Sequence, residues 1–374
     1  MTTTTPLARL LTAFRCGQPD RVPIIVRGVN PYARHMNWRG EADPSYRPLI
    51  ERVRADCEVE HILSMGRGFA LNGAAQVETR VEVRDGWRVV TRSVETPAGP
   101  LTSIHRDGAD SYAHAEVKQW IVDEADVERF LSLPYRPIEP DLAPYFAARD
   151  QLGDKGYVLA YLDDAIGQVH ALMGSELLAI WSVEAPGLIR RLLDALAERC
   201  LDFARRLLEG GVAPVLGLQG QEVVVPPLMS PRRFAELVVR YDRPIVELAH
   251  AHGCLLYVHC HGFLNAVIGH FADMGVDILH PIEAPPMGDI TLAEAKRRVG
   301  GRVCLAGNIQ IGDVMDLERD QIIALTRRAI ADAAAGGGFV LTLTATPFER
   351  VLSDRTRDNL LAMIDTALEY GSYP

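Results

Sequence analysis

The stretch Cys254-Leu255-Leu256-Tyr257-Val258-His259-Cys260-His261-Gly262 is an apolar run that ends in two imidazoles, a thiol and a glycine. Its continuous apolar character predicts a β-strand that is buried on both faces. Because side chains two apart on a strand point the same way, His259 and His261 can share one small target. The alternative is a pair of histidines that only bond to backbone carbonyls.

Seven further apolar runs of similar length accompany this one. From about residue 150 the runs alternate with segments of helical spacing, such as Pro186–Glu209 and Pro231–Ala251. The eight predicted strands are Val22–Val26, His61–Met65, Tyr157–Leu162, Val212–Leu218, Cys254–His259, Val276–Ile282, Val303–Ala306 and Phe339–Leu343. Strict alternation of strand and helix predicts an α/β fold with a parallel sheet, and eight strands favour a (β/α)8 TIM barrel. An open doubly wound sheet is the alternative, but no Gly-x-Gly-x-x-Gly follows an early strand.

Residues 77–120 interrupt this alternation. Two runs of alternating polar and apolar residues flank the turn Arg84-Asp85-Gly86, and a second turn follows at Pro97-Ala98-Gly99-Pro100. This pattern predicts an antiparallel β meander inserted in the barrel, with a role as a lid or a subunit contact. Since no low-complexity linker divides the chain, we expect residues 1–374 to form a single barrel domain.

Composition and charge exclude several classes of function. The 374 residues are 48% hydrophobic and 24% charged, which is typical of a soluble enzyme, and the formal net charge is -10. Because no block of basic residues occurs, we expect no nucleic-acid partner and no membrane partner. Six irregularly spaced cysteines and the absence of a signal-peptide pattern after Met1 predict a cytoplasmic protein with reduced thiols. A homodimer is the expected assembly.

Polar residues follow the predicted strands, where the active sites of (β/α)8 barrels lie. If the strand assignments are right, these side chains surround one mouth: Asp163, Asp164, Gln219, Gln221, Glu222, His259, His261, Glu283, Asn308, Thr342, Thr344 and Thr346. Each of them alone is weak support for a site, because polar residues often end apolar strands by chance.

Several of these residues could transfer a proton or position a ligand. Asp163 and Asp164 are adjacent carboxylates that could handle a proton, although consecutive side chains diverge and one of the two is expected to face the site. Glu222 and Asn308 could orient a ligand by hydrogen bonding, or only cap loops. Glu283 ends a buried run, so its carboxylate needs a cation or hydrogen-bond donors.

Two neutral imidazoles and a carboxylate form a suitable set of zinc ligands, which here would be His259, His261 and Glu283. Cys260 lies between the histidines and is expected to face the covering helices as a buried, inert thiol. His280 is expected to point away from the mouth, or to support the ligands from behind.

Several segments in the same order resemble the uroporphyrinogen decarboxylase superfamily, which also contains corrinoid- and pterin-linked methyltransferases. They are Asp20-Arg21-Val22-Pro23, Ser230-Pro231-Arg232-Arg233-Phe234, His259-Cys260-His261-Gly262, Gly275-Val276-Asp277-Ile278-Leu279-His280-Pro281-Ile282-Glu283, Gly307-Asn308-Ile309 and Asn359-Leu360-Leu361-Ala362-Met363-Ile364-Asp365-Thr366. The resemblance runs over most of the chain and implies a (β/α)8 barrel.

The zinc methyltransferases of this superfamily carry His-x-Cys, a later acidic residue and a cysteine near the last strand. Here His259 matches the histidine, His261 takes the cysteine position, and Glu283 follows 22 residues later. The last-strand cysteine is missing from Phe339–Pro347. The resemblance therefore implies a catalytic zinc with an open position, and a ligand set that suits an oxygen or nitrogen group better than a thiol.

The true decarboxylases of the superfamily carry an Arg-Gln-Ala-Gly-Arg pattern after the first strand, which is absent from residues 27–34. The resemblance thus favours a methyltransferase that moves a methyl group from a small methylated donor (an ether, amine or thioether) to a corrinoid protein, a pterin or a thiol. Cobalamin would be carried by a partner protein, because no Asp-x-His-x-x-Gly motif occurs here, and a tetrahydrofolate-type pterin is the other expected cofactor. The alternatives are a decarboxylase or other lyase that acts on a carboxylic acid without metal, and a non-catalytic barrel.

Overall fold

The computed structural model describes residues 4–33, 42–66, 68–108 and 114–373. Its twelve strands are β1 (Ile24–Ile25), β2 (Val59–Gly66), β3 (Glu78–Arg84), β4 (Trp87–Val94), β5 (Leu101–Gly108), β6 (His114–Lys118), β7 (Gly156–Asp163), β8 (Val215–Gln219), β9 (Leu255–His259), β10 (Ile278–His280), β11 (Cys304–Ile309) and β12 (Phe339–Leu343). Arg34 of the segment after the first strand, and residues 109–113 of the predicted insertion, lie outside the described residues.

Helices follow most of the parallel strands, and most of them bury one apolar face. They are α1 (Pro6–Phe14), α2 (Arg47–Asp56), α3 (Glu124–Ser132), α4 (Ala143–Leu152), α5 (Ala165–Glu184), α6 (Pro186–Glu209), α7 (Pro231–Phe234), α8 (Arg240–Ala251), α9 (Ile268–Met274), α10 (Leu292–Val299), α11 (Ile311–Asp316), α12 (Arg319–Ala333) and α13 (Asp354–Tyr370). A π-helical turn, Ala235–Val239, joins α7 to α8.

Eight parallel strands form one curled sheet in the order β1-β12-β11-β10-β9-β8-β7-β2. Its two end strands approach each other through a parallel bridge between Ile25 and Glu58. Each of the eight predicted apolar runs overlaps one of these strands. The fold is therefore TIM-barrel-like, and the predicted alternation of strand and helix is confirmed.

Two apolar layers explain why the parallel strands are apolar on both faces. The larger layer lies between the sheet and the helices. A smaller cluster fills the inside of the sheet and includes Leu159, Tyr161 and Tyr257. Helix α1 contributes Leu10 and Phe14 to this inner cluster, near the amino-terminal ends of the strands.

A buried carboxylate holds α1 against the place where β1 and β2 meet. Glu58 has no exposed surface, and its oxygens accept hydrogen bonds from Arg9 Nη1 at 2.6 Å and from the backbone N–H of Ile24 at 2.6 Å. Arg21 Nη2 donates to the same carboxylate at 2.9 Å. The two arginines and the backbone N–H offset the cost of burying a carboxylate, and they attach the start of the chain to the sheet.

The insertion forms a separate antiparallel sheet in the order β3-β4-β5-β6. Asp85 and Gly86 both have positive φ, of 51° and 76°, which is typical of the two-residue hairpin turn between β3 and β4. Val94 and Leu101 are buried and attach the sheet to the main core. The predicted meander is thus present as a sheet distinct from the parallel strands.

No single helix in the described ranges is long and apolar enough to cross a membrane; only α5 and α6 taken together, bent by 117° between them, satisfy length and composition.

The inner packing of α1 makes Phe14 a test of the fold. Its ring is 1% exposed and lies edge-on to Tyr157, with centroids 5.2 Å apart. We expect Phe14→Ala to lower the free energy of unfolding by about 3–5 kcal/mol, because it leaves a cavity inside the barrel. Urea denaturation measures this loss. Phe348→Ala, at a ring that is 51% exposed, is the control and should change stability by no more than about 0.5 kcal/mol. Equal effects would contradict the packing of α1.

Candidate active site

The candidate site lies at the carboxyl ends of the parallel strands, on the inside of the sheet. The register pairs Asp163 with Gln219, Gln219 with His259, and His259 with His280 on four neighbouring strands. Because paired residues of parallel strands point to the same face, these four side chains form one row. The row continues along the sheet on β11 and β12, where Asn308 pairs with Thr342.

The protons of His280 and His259 are fixed by a backbone carbonyl. His280 Nε2 lies 2.9 Å from the carbonyl oxygen of Leu343, which can only accept, so His280 carries its proton on Nε2. Burial, and then the positive charge of Arg27, hold the pKa of His280 well below its ordinary value. The ring is therefore neutral, and its Nδ1 is a lone-pair acceptor.

His259 must then donate to His280. The two Nδ1 atoms lie 2.8 Å apart, and since the His280 atom accepts, the His259 atom carries the proton. The ring centroids are 5.0 Å apart with planes 20° from parallel, so the rings meet edge to edge. Burial lowers the pKa of His259 well below its ordinary value as well. A neutral His259 with its proton on Nδ1 leaves a lone pair on Nε2.

A second hydrogen-bonded chain positions His261. Thr344 Oγ1 donates to Gln310 Oε1 at 2.9 Å, and Gln310 Nε2 donates to Glu283 Oε1 at 2.8 Å. The other carboxylate oxygen, Glu283 Oε2, lies 3.0 Å from His261 Nδ1 and also accepts from the backbone N–H of Gly262 at 3.3 Å. Burial alone would raise the pKa of Glu283, but the hydrogen bonds from His261 and Gln310 outweigh it and lower that pKa. An ionised Glu283 requires a proton on His261 Nδ1.

The two imidazoles therefore present the same atom to the mouth. Their rings are perpendicular, at 89°, with centroids 4.7 Å apart. No hydrogen bond to another described residue engages Nε2 of His259 or of His261. A histidine whose Nδ1–H is held by a carboxylate or another acceptor is the usual form of a metal-binding or proton-accepting imidazole.

Two carboxyl groups lie near this pair, one at the end of β7 and one in the turn that follows β8. Asp163 Oδ1 accepts from Gln219 Nε2 at 2.7 Å. Glu222 Oε2 accepts from the backbone N–H of Gly220 at 3.2 Å. Burial raises the pKa of Glu222, which also interacts electrostatically with His261 and Asp163. Glu222 is thus suited to hold a proton beside the imidazoles.

Asp164 and Gln221 lie behind the site instead of in it. Asp164 is fully buried and caps α5 by accepting from the backbone N–H of Gly167 at 2.7 Å. Gln221 Nε2 donates to Asp242 Oδ2 at 2.8 Å. Burial is the largest cause that raises the pKa of Asp164 well above its ordinary value and that of Asp242 to about 7. The structure does not bring Asp164 to the mouth, because its side chain is used as a helix cap.

Beneath the histidines lies a buried ion pair surrounded by tyrosines. Arg27 Nη1 lies 2.6 Å from Glu60 Oε1, and Tyr157 OH donates to Glu60 Oε2 at 2.7 Å. Arg27 also donates to the hydroxyls of Tyr257 at 3.3 Å and Tyr161 at 3.4 Å. Glu60 thereby balances the charge of the arginine, which still lowers the pKa of His259 and of His280 above it.

The predicted zinc set of His259, His261 and Glu283 stays a prediction. The three side chains lie together, but Glu283 is occupied in orienting His261. Across the described ranges, no three His, Cys, Asp or Glu side chains are grouped as a set that could hold an ion. Cys260 faces the outer core as predicted, has no exposed surface, and has a pKa raised well above its ordinary value by burial.

Sequence reasoning missed the roles of two residues, Gln310 and Asp242. Gln310 follows Asn308 by two positions, directly after β11, so strand alternation was the signal that could have identified it. Of the two alternatives predicted for His280, the structure has the one in which it supports a neighbouring histidine from behind, through its contact with His259. Asp242 lies on α8, and no nearby sequence pattern indicated that it contacts Gln221 behind the site.

Residues 167–370 match the family model described as uroporphyrinogen decarboxylase (URO-D). The chain belongs to the uroporphyrinogen decarboxylase family, as its sequence segments predict. No curated protein matches the sequence.

Solved structures share the fold at low identity. A methyltransferase from Methanosarcina mazei has a TM-score of 0.59 and 17% identity, over 97% of this chain and 99% of that chain. A GH5-4 broad-specificity endoglucanase from Clostridium acetobutylicum has a TM-score of 0.40 and 11% identity, over 93% of this chain and 97% of that chain. The first match shows a shared fold and is consistent with the methyltransferase branch of the family. Family and fold together indicate an enzyme.

The buried pair of Asp164 and Asp242 predicts a pH dependence of stability. An acid whose pKa is raised by folding binds its proton more tightly in the folded state, so its contribution to stability is lost as the pH rises from about 4 towards 7. We expect the free energy of unfolding of the wild type to fall more steeply between pH 5 and 7 than that of Asp242→Asn, by up to about 1.4 kcal/mol per pH unit. Urea denaturation at several pH values measures both slopes.

The control is Asp320→Asn, at an exposed carboxylate on α12, which should keep the wild-type slope. Parallel profiles for the wild type and Asp242→Asn would show that the carboxyl pair is not held in its protonated form by folding.

Proposed function

We propose that this protein transfers a methyl group from a small methylated donor, an ether, amine or thioether, to a corrinoid protein, a pterin or a thiol. The observation that carries the proposal is the pair of imidazoles, His259 and His261, each with its Nδ1 held by a hydrogen bond and with no hydrogen bond from its Nε2 to another described residue. Membership of the family and the fold shared with a methyltransferase support it.

The donor chemistry of the site fits a divalent metal in part. Neutral imidazole nitrogen is a preferred zinc ligand, and a carboxylate that holds the opposite ring nitrogen is its usual support. In the proposal, His259 and His261 would hold the ion, with Glu283 either as third ligand or as the group that orients His261. A bound zinc would supply Lewis-acid stabilisation of the negative charge that develops on a leaving oxygen or nitrogen.

The residues of the chain supply the proton that this transfer needs. As the bond from the methyl carbon to oxygen or nitrogen breaks, its electron pair stays on the leaving atom, and the acceptor forms the new bond to carbon with its own electron pair. Glu222, whose raised pKa favours the protonated form, donates its proton to the leaving atom. In this mechanism Asp163 and Asn308 orient the donor.

The alternative of a decarboxylase fits the site less well. An unpaired cation is the strongest partner for a substrate carboxylate, but Arg27 inside the barrel is paired with Glu60. With this pairing, little positive charge faces the mouth from the floor of the barrel.

The variants His261→Ala and Cys260→Ala test the proposal together. We expect purified wild type to bind zinc in elemental analysis, and to demethylate a donor when ethers, amines and thioethers are screened with a corrinoid, a pterin and a thiol. His261→Ala should lower the metal affinity and the rate by about 100-fold or more, because a ligand and its held proton are lost together.

Cys260→Ala is the matched control, since its buried thiol faces the outer core, and it should retain metal and activity. Loss of the metal in Cys260→Ala would show that the thiol is a ligand. Release of carbon dioxide from a carboxylic acid, without methyl transfer, would establish the decarboxylase alternative.

A further inference from the structure

We propose that a cleft on the outer face of the barrel, between α6 and α8, binds a small organic anion with an apolar body. The cleft spans about 480 Å³ of space that is partly open to solvent, and it lies between the end of α5, the first turns of α6, and the segment from α7 to α8. It is separate from the imidazoles, and the family comparisons do not assign it.

The charge of the cleft is positive in a chain whose formal net charge is -10. Its lining includes Arg190, Arg233 and Arg240 against a single carboxylate, Glu236. Arg233 Nη1 is paired with Glu236 at 3.0 Å. Arg190 and Arg240 are exposed, and neither has an ion pair or hydrogen bond to another described side chain. Two free guanidinium groups beside one cleft favour an oxyanion.

The floor of the cleft is apolar. Ile189, Leu193 and Leu237 are buried beneath it. The ring of Tyr241 lines one wall, with the guanidinium carbon of Arg240 5.4 Å from its centroid, and its hydroxyl donates to Asp194 at 2.8 Å. A bare inorganic ion would leave this floor in contact with water. A ligand with an aromatic or aliphatic body would cover it.

The backbone around the cleft is also specialised. The π-helical turn Ala235–Val239 supplies Glu236 and Leu237 to the lining. Such turns widen a helix locally and are common at functional sites. The same segment continues into α8, whose Asp242 bonds to Gln221 behind the candidate active site.

The probe for this cleft is 8-anilinonaphthalene-1-sulfonate, which joins an aromatic body to one oxyanion and fluoresces when it leaves water. We expect saturable binding that is about tenfold weaker in Arg190→Gln and in Arg240→Gln, since each removes a charge-assisted contact. Arg190→Lys should recover part of the affinity. N-phenyl-1-naphthylamine, which lacks the sulfonate, should bind with no dependence on either arginine.

Arg297→Gln, which removes the same charge from an exposed ion pair with Glu294 on α10, is the matched control and should bind the sulfonate like the wild type. Competition by benzoate, phenyl phosphate and inorganic phosphate distinguishes a carboxylate from a phosphate head group, and inorganic phosphate alone should compete poorly. Equal affinity in Arg190→Gln, Arg240→Gln and Arg297→Gln would overturn the proposal. Competition by inorganic phosphate as strong as that by phenyl phosphate would overturn the requirement for an apolar body.

Discussion

The hydrogen bond from His280 Nε2 to the carbonyl oxygen of Leu343 is the interaction on which the site depends. Because a carbonyl cannot donate, this bond determines where the proton of His280 lies, and through it the proton of His259. The series of hydrogen bonds that holds His261 also begins beside Leu343, at Thr344, and reaches His261 through Glu283. The end of β12 therefore sets the proton positions of both imidazoles, although it contributes no residue to the predicted metal ligands.

The interior of the barrel keeps the imidazoles of His259 and His280 neutral by two effects that work together. Burial penalises the protonated rings and lowers their pKa, and the charge of Arg27 beneath them adds to the effect. Glu60 balances Arg27, so the arginine stays charged without attracting an anion from the mouth. Neutral imidazole is the form that binds a metal or accepts a proton, and thus the buried ion pair prepares His259 for either role.

The sequence predicted the parallel strands well because each is apolar on both faces, a pattern that few other elements share. It also predicted that strand ends would bring His259, His261 and Glu283 together, since parallel strands end at one edge. The sequence could not show which of Asp163 and Asp164 faces the site, because this depends on which of the two adjacent carboxylates caps α5. Gln310 and Asp242 were missed because their partners are distant in sequence, and only packing brings them together. Helix α1 carried a short cap signal at Thr5 and Pro6, which is too brief to predict a helix that fills the barrel.

The tautomer of His259 tests the central claim most directly. Long-range proton–nitrogen correlation spectra of metal-free protein labelled with nitrogen-15 in histidine report which ring nitrogen carries the proton, and His259→Gln and His280→Gln assign the signals. The account predicts that at pH 7 His259 is neutral with its proton on Nδ1 and that His280 is neutral with its proton on Nε2. A His259 that is protonated on both nitrogens, or that carries its single proton on Nε2, would contradict it.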